Sequence, residues 1–294
     1  MKNLQAIYCE DGYTAPPEGV FAPGWYVNGF PKAGTHLVTG MLRPFAFPMP
    51  PARFRPENWT GSFRHFGWSN EWLPVRQITW GLCGIRPGYF LKGHCGYKPE
   101  IARMAWYAGI AVVFVYRDLR DVAVSQAHHI LNDDPKVKHP DKEAYKQLGG
   151  FDEVLAACIT GLDVPNGNYG PVYYPGVIDR WGLYAPWLDE EWVCHVRYAD
   201  ARLHTLETAR RIAEYGTLRL AEIHGADISP SKQAFDAVAE AMVEGAAPDK
   251  SQNFRRGIVG GWREVFTEQH KDLFKQSDEA GWLVRLGFEQ DDNW

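Results

Sequence analysis

Residues 29–37 read GFPKAGTHL and follow the apolar run of Trp25, Tyr26 and Val27. Gly29 and Gly34 stand five apart, Lys32 lies between them, and Thr35 comes directly after the second glycine. Apolar residues then recur at Leu37, Val38, Met41, Leu42 and Phe45, the spacing of one helix face. The pattern predicts strand, tight loop, helix. Such a junction suits an anion, because the first N–H groups of a helix lack partners within it and share its positive dipole end. Glycines let the backbone approach phosphate oxygens, Lys32 adds a cation, and Thr35 adds a short hydroxyl donor. The common P-loop puts its lysine after the second glycine, where this chain has Thr35. Spacing alone therefore leaves open a phosphate loop and a glycine turn that merely feeds a core helix.

Two further segments bear on the choice. Residues 111–117, AVVFVYR, form an apolar run suited to a buried parallel strand, and DLRDVAVSQAHHI follows with helical character. Arg117 falls at the strand's end, with Ser125 about two helical turns on. Ligands of open parallel sheets collect outside the carboxyl ends of the strands, so a cation there can meet a second phosphate. The competing reading is a surface ion pair between Arg117 and Asp121, worth little. In residues 253–267, NFRRGIVGGWREVFT, the pair Arg255–Arg256 and the flexible Gly257 offer guanidinium forks for bidentate phosphate contact.

FPKAGTHL at 30–37, VYRDLRDVAVS at 115–125 and FRRGIVGGW at 254–262 resemble, in that order, the three cofactor signatures of cytosolic-type sulfotransferases. That family transfers sulfonate from 3′-phosphoadenosine 5′-phosphosulfate (PAPS), leaving adenosine 3′,5′-bisphosphate (PAP). The resemblance implies an α/β fold: a central parallel β-sheet flanked by helices, the P-loop-containing nucleotide-binding fold of the sulfotransferase type. It also implies a single sulfotransferase domain over 1–294. Carried onto this sequence, it gives Pro31, Lys32, Ala33, Gly34, Thr35 and His36 to the 5′-phosphosulfate. Arg117, Ser125, Arg255, Arg256 and Gly257 fall to the 3′-phosphate, and Tyr198 in HVRYAD to the surroundings of the adenine. The family's catalytic histidine lies in a Lys-Thr-His sequence, matched here by Lys92, Gly93 and His94 in YFLKGHCG.

The implied chemistry is direct. A hydroxyl or amine of a small-molecule acceptor attacks sulfur in line, His94 takes its proton as general base, and Lys32 and Lys92 stabilise the charge growing on the leaving oxygen. Histidine suits that task because its ordinary pKa of about 6.5 leaves a neutral ring near pH 7. The family pattern requires no metal. The sequence departs from the family at Ala33, His36, Leu37 and Gly93; the last is expected to loosen the backbone that aims the base. Two alternatives stand beside this reading: a P-loop small-molecule or nucleoside kinase using ATP and Mg²⁺, against which the displaced lysine argues, and, from the departures at Ala33 and Gly93, a catalytically silent nucleotide-binding protein.

Length and composition fit one enzyme domain, with 294 residues, 45% of them hydrophobic and 23% charged. The net charge of −5 argues against nucleic acid as a partner. No run of about 18 apolar residues marks a membrane span, and no signal-peptide core opens the chain. Five scattered cysteines read as reduced thiols; the expectation is a cytoplasmic protein without membrane contact. Residues 132–148 and 163–176 read as loops, and 229–242 as a helix with Phe235, Val238, Ala239 and Met242 on its buried face. Trp59, Phe63, Phe66, Trp68, Trp72 and Trp80 are candidates for an acceptor pocket. Arg263, Thr267 and Asp272 match the spacing of the family's dimer motif, but Glu268 stands in place of its valine, leaving monomer or homodimer open.

Overall fold

The computed structural model describes residues 23–44, 46–48, 75–85, 87–133, 142–164, 172–224, 232–246 and 256–294. The expectations placed on Phe45, Trp59, Phe63, Phe66, Trp68, Trp72 and Arg255, and on the side chain of Trp80, lie outside the described residues. Along the chain the strands are β1 (Trp25–Gly29), β2 (Phe47–Pro48), β3 (Tyr89–Gly93), β4 (Ala111–Tyr116), β5 (Gly161–Val164), β6 (Val172–Pro175) and β7 (Cys194–Arg197). The helices are α1 (Thr35–Leu42), α2 (Val75–Cys83), α3 (Pro99–Tyr107), α4 (Leu119–Leu131), α5 (Lys142–Lys146) and α6 (Phe151–Thr160). They continue with α7 (Val177–Gly182), α8 (Tyr198–Leu203), α9 (Thr205–His224), α10 (Lys232–Gly245), α11 (Glu268–Ser277) and α12 (Trp282–Arg285).

The chain divides into two compact units: residues 1–116 with 186–257, and residues 117–185 with 258–294. The first holds a sheet of order β2-β3-β1-β4-β7, in which every neighbouring pair is parallel. Parallel sheets covered on both faces need apolar residues on both. The central β1 and β4 comply, with WYVNG wholly buried and AVVFVY buried up to its last residue. β1 lies between β3 and β4, which the chain adds on opposite sides of it, so the carboxyl end of β1 is the place where such sheets take ligands.

Around that sheet, Pro99 opens α3 at its first turn, and Ile101, Ala102 and Ala105 form its buried face. In α1 and α10 the backbones approach so closely that a Cβ on Gly40 would lie 2.7 Å from the Gly245 carbonyl oxygen. The face read for α10 holds, with Val238, Ala239 and Met242 buried and Phe235 half-buried, although the described helix starts at Lys232.

In the second unit, α4 starts from Asp118, whose carboxylate accepts the Arg120 N–H at 3.0 Å. Eight of the 13 residues of α4 are buried, including Arg120. Its guanidinium binds Asp118 at 2.7 Å and Glu289 at 2.6 Å and lies over the rings of Trp262 and Trp294 at 3.8 and 4.4 Å. The stretches read as loops are partly regular. Residues 142–146 form a helix, and 161–164 pair antiparallel with 172–175. Among the described residues no helix is long and apolar enough to cross a membrane.

Candidate active site

The loop after β1 is a turn with an unusual occupant. The Ala33 N–H donates to the Phe30 carbonyl at 3.0 Å, enclosing Pro31 and Lys32, and Lys32 has φ +66°. Proline at the second place and positive φ at the third are the pattern of a type II turn, whose third place ordinarily belongs to glycine. Lys32 is the only non-glycine residue with positive φ among the described residues. Such a conformation costs on the order of 1–3 kcal/mol and collects at ligand sites. The Phe30 N–H anchors the turn to the Val115 carbonyl of β4 at 3.0 Å. Gly34 follows with φ +99° as the N-cap of α1, and the Tyr198 ring covers it so tightly that a Cβ there would lie 2.3 Å from Cδ2. Both conformation and space therefore demand glycine.

Thr35 is only 2% exposed, and its Oγ1 has no hydrogen-bond partner among the described residues. A buried hydroxyl without a partner is costly. One located at the first turn of a helix behind a glycine loop stands where an anion would find a donor.

β3 runs beside β1 with Val27 opposite Lys92 and Asn28 opposite Gly93. Just past the end of that ladder, His94 Nδ1 lies 2.8 Å from the Gly29 carbonyl oxygen. A carbonyl only accepts, so Nδ1 carries a hydrogen, and in the neutral form of the ring the basic nitrogen is Nε2. Gly93, expected to loosen this stretch, is a buried ladder residue without positive φ. The Asn28 side chain pins the chain immediately after His94: its Oδ1 accepts the Cys95 N–H at 2.7 Å, and its Nδ2 donates to the Cys95 carbonyl at 2.9 Å.

Lys92 reaches to 3.3 Å from His36 Nε2. The ammonium can only donate, so His36 accepts there. Desolvation by surrounding protein, then the charges of Lys92, His94, Lys32 and Arg43, lower the His36 pKa from 6.5 to about 3. The residue retains exposed surface, where water screens those charges; the downward direction still means a neutral ring at pH 7. Burial, then the Arg43 charge, lower the Lys92 pKa from its ordinary value. Lys32 and Lys92 thus place positive charge near His36 in the first turn of α1, and the charge of Arg43, the C-cap of the same helix, also acts on His36 and Lys92.

The other residues expected at the cofactor divide between the units. In the first, Tyr198 begins α8 with its ring on Gly34, Arg202 of the same helix donates to the Gly257 carbonyl at 3.3 Å, and Arg256 is exposed. In the second, Arg117 donates to the Ile258 carbonyl at 2.8 Å and pairs with Asp121 at 3.3 Å, while Ser125 is half-buried on α4. The pair is no surface ornament. The Asp121 side chain is 2% exposed, and its carboxylate also accepts the N–H groups of Gly260 and Trp262 at 2.9 and 3.0 Å. Sequence reasoning missed Asn28, Arg43 and Arg202. Arg43 alone carried a local signal, since it follows His36 by seven residues, two helical turns.

The family model described as the sulfotransferase domain matches residues 97–279. The chain belongs to the sulfotransferase family and is a sulfonate-transferring enzyme. The match begins after the GFPKAGTHL loop and His94. In fold, the chain is similar to the crystal structure of mouse sulfotransferase SULT7A1 complexed with PAP, with a TM-score of 0.50, 16% identity, and coverage of 89% of this chain and 87% of that one. A structure of retinol dehydratase in complex with androsterone and inactive cofactor PAP aligns at a TM-score of 0.47 and 14% identity, over 87% of this chain and 79% of that one. A search of curated protein sequences returns no match.

Proposed function

We propose that this enzyme transfers sulfonate from PAPS to a hydroxyl or amine of a small-molecule acceptor, with His94 as general base and Lys32 and Lys92 stabilising the leaving oxygen. The observation that carries the reading is the contact of His94 Nδ1 with the Gly29 carbonyl oxygen at 2.8 Å. With Nδ1–H donating there, Nε2 is the nitrogen that takes the acceptor's proton in the neutral ring, close to Lys32 and Lys92. PAPS supplies a sulfonate already attached to a phosphate leaving group; the chain supplies binding, charge and the base.

Residues 31–36 are assigned to the 5′-phosphosulfate, with the Thr35 hydroxyl, which has no partner among the described residues, and the Lys32 ammonium as donors. His36, neutral at pH 7, serves as acceptor for Lys92 rather than as a cation on phosphate. Arg117, Ser125, Arg255, Arg256 and Gly257 are assigned to the 3′-phosphate and Tyr198 to the nucleoside, within one catalytic domain spanning 1–294. The acceptor class, a cytoplasmic location and the monomer or homodimer state belong to the same reading.

The test is a turnover screen of PAPS against ATP with Mg²⁺ over a panel of phenols, aliphatic alcohols and amines, with PAP binding by calorimetry. Sulfonated product from PAPS alone is expected. His94→Ala should lose about 10² to 10⁴-fold in kcat with PAP affinity within about threefold. Retention of most turnover by His94→Ala removes it from the role, and phosphorylated product from ATP refutes the donor.

A further inference from the structure

We infer that Asn28 is a positioning residue: its carboxamide extends the β1–β3 pairing one step past the ladder and holds the residue after His94 so that the imidazole keeps its Nδ1–H on Gly29. The inference rests on the general-base role given to His94.

Backbone pairing of β1 with β3 ends at Asn28 opposite Gly93. Beyond it, two consecutive residues of the first strand take hold of two consecutive residues that follow the second. Gly29 accepts from His94 through the main-chain carbonyl, and Asn28 exchanges two hydrogen bonds with Cys95 through its side chain, at 2.7 and 2.9 Å. The side chain is 0% exposed, so each bond is made where no water can replace it. A carboxamide is the side chain that offers one donor and one acceptor side by side, as a neighbouring strand would. The Trp187 Nε1–H gives the same Cys95 carbonyl a second donor at 2.9 Å. Gly93 supplies no side chain to fix the approach to His94, and the clamp replaces it from the other strand.

A misplacement of about 1 Å at a reacting group can cost 10²-fold in rate, so the clamp should act on kcat and not on nucleotide binding. Three variants test it: Asn28→Ala, Trp187→Phe, which keeps a ring but drops one donor, and His94→Ala. Each is assayed for kcat with the best acceptor of the panel above, for PAP affinity by calorimetry, and for imidazole ¹⁵N shifts, the His94 signals being assigned by their loss in His94→Ala. Asn28→Ala should lose about 10–100-fold in kcat with PAP affinity within about threefold, and the His94 nitrogens should move from the Nδ1–H tautomer toward a mixture. Trp187→Phe should shift both readouts in the same direction by less, and carries the test if Asn28→Ala does not fold. Wild-type kcat in a folded Asn28→Ala, or an unchanged His94 tautomer there, overturns the inference; so does an unchanged tautomer in Trp187→Phe if that variant alone folds. A fully active His94→Ala instead sinks the base itself, whatever Asn28 does.

Discussion

Asp121 is where a single oxygen pair should decide both stability and nucleotide choice. Its carboxylate accepts two backbone N–H groups, from Gly260 and Trp262, and faces Arg117 at 3.3 Å with its own side chain 2% exposed. Asp121→Asn keeps the size but removes the charge and turns an NH₂ toward a group that also donates. Hydrogen bonds to a charged acceptor contribute about 1.5–3 kcal/mol each, and breaking one side of a buried pair costs about 3–5 kcal/mol. These overlap, so the variant should lose on the order of 4 kcal/mol. At about 2–4 °C per kcal/mol for a chain of this size, the melting midpoint should fall by roughly 10 °C. The sequence neighbours of Ile258 are the Arg255–Gly257 residues assigned to the 3′-phosphate, so binding should change selectively. Arg117, 14% exposed, would when released from its carboxylate attract phosphate more, by about 1–4 kcal/mol between the bulk-water and protein-surface limits. Reordering a loop of several residues at about 1–2 kcal/mol each outweighs that gain. Calorimetry should therefore show PAP binding weakened by about 10–100-fold while AMP, which lacks the 3′-phosphate, changes by less than about threefold. Tighter PAP binding with an unmoved midpoint would refute the reasoning.

Gly34→Ala should cost about 1–3 kcal/mol from its positive φ alone, and because its Cβ would lie 2.3 Å from the Tyr198 ring, PAP binding should vanish in calorimetry even where the variant stays folded. His36 has a folded pKa lowered from 6.5 to about 3, so between those values the unfolded chain binds the extra proton and stability rises with pH; His36→Asn should flatten the rise in melting midpoint between pH 5 and 7. Arg43→Ala should weaken PAP by about fivefold, the effect of one charge worth about 1 kcal/mol at a partly solvated site, and the loss should shrink in 0.5 M salt.

The strands and helices that carry the motifs were legible because their signals are local. WYV before a glycine loop, AVVFVY before a helical stretch and YFL before Lys92 each declare a buried strand end by composition, and the sheet brings all three together as β1, β4 and β3. Strand β7 was missed because CHVR alternates over four residues only, too short for periodicity to register. The helix at 142–146 was hidden by its charges, which on a five-residue helix read as solvated loop.

What could not be read was anything made by partners far apart in the chain. Asn28 and Cys95 are separated by 67 residues, and Asp121 and Trp262 by 141. Neither carboxamide nor carboxylate announces its partner by spacing. The same limit explains the misjudged weight of Arg117–Asp121. As an i, i+4 pair it looks like helix-surface chemistry worth a few tenths of a kcal/mol, and only the two N–H groups arriving from 260 and 262 make it a buried junction.

The displaced lysine of the loop has a physical consequence of its own. With lysine after the second glycine, the side chain leaves from the first turn of a helix and its backbone is unstrained. Lys32 instead occupies the glycine place of a type II turn at φ +66°, ahead of Gly34, with the turn fastened to both Phe30 and Val115. A strained lysine persists only where its surroundings over-determine it, and two backbone hydrogen bonds with Pro31 do so here. Replacing Lys32 by glycine would relieve the strain and remove the charge together, so the folded protein should gain stability while losing turnover. A thermal midpoint that rises as kcat collapses would separate strain held for catalysis from strain that serves the fold.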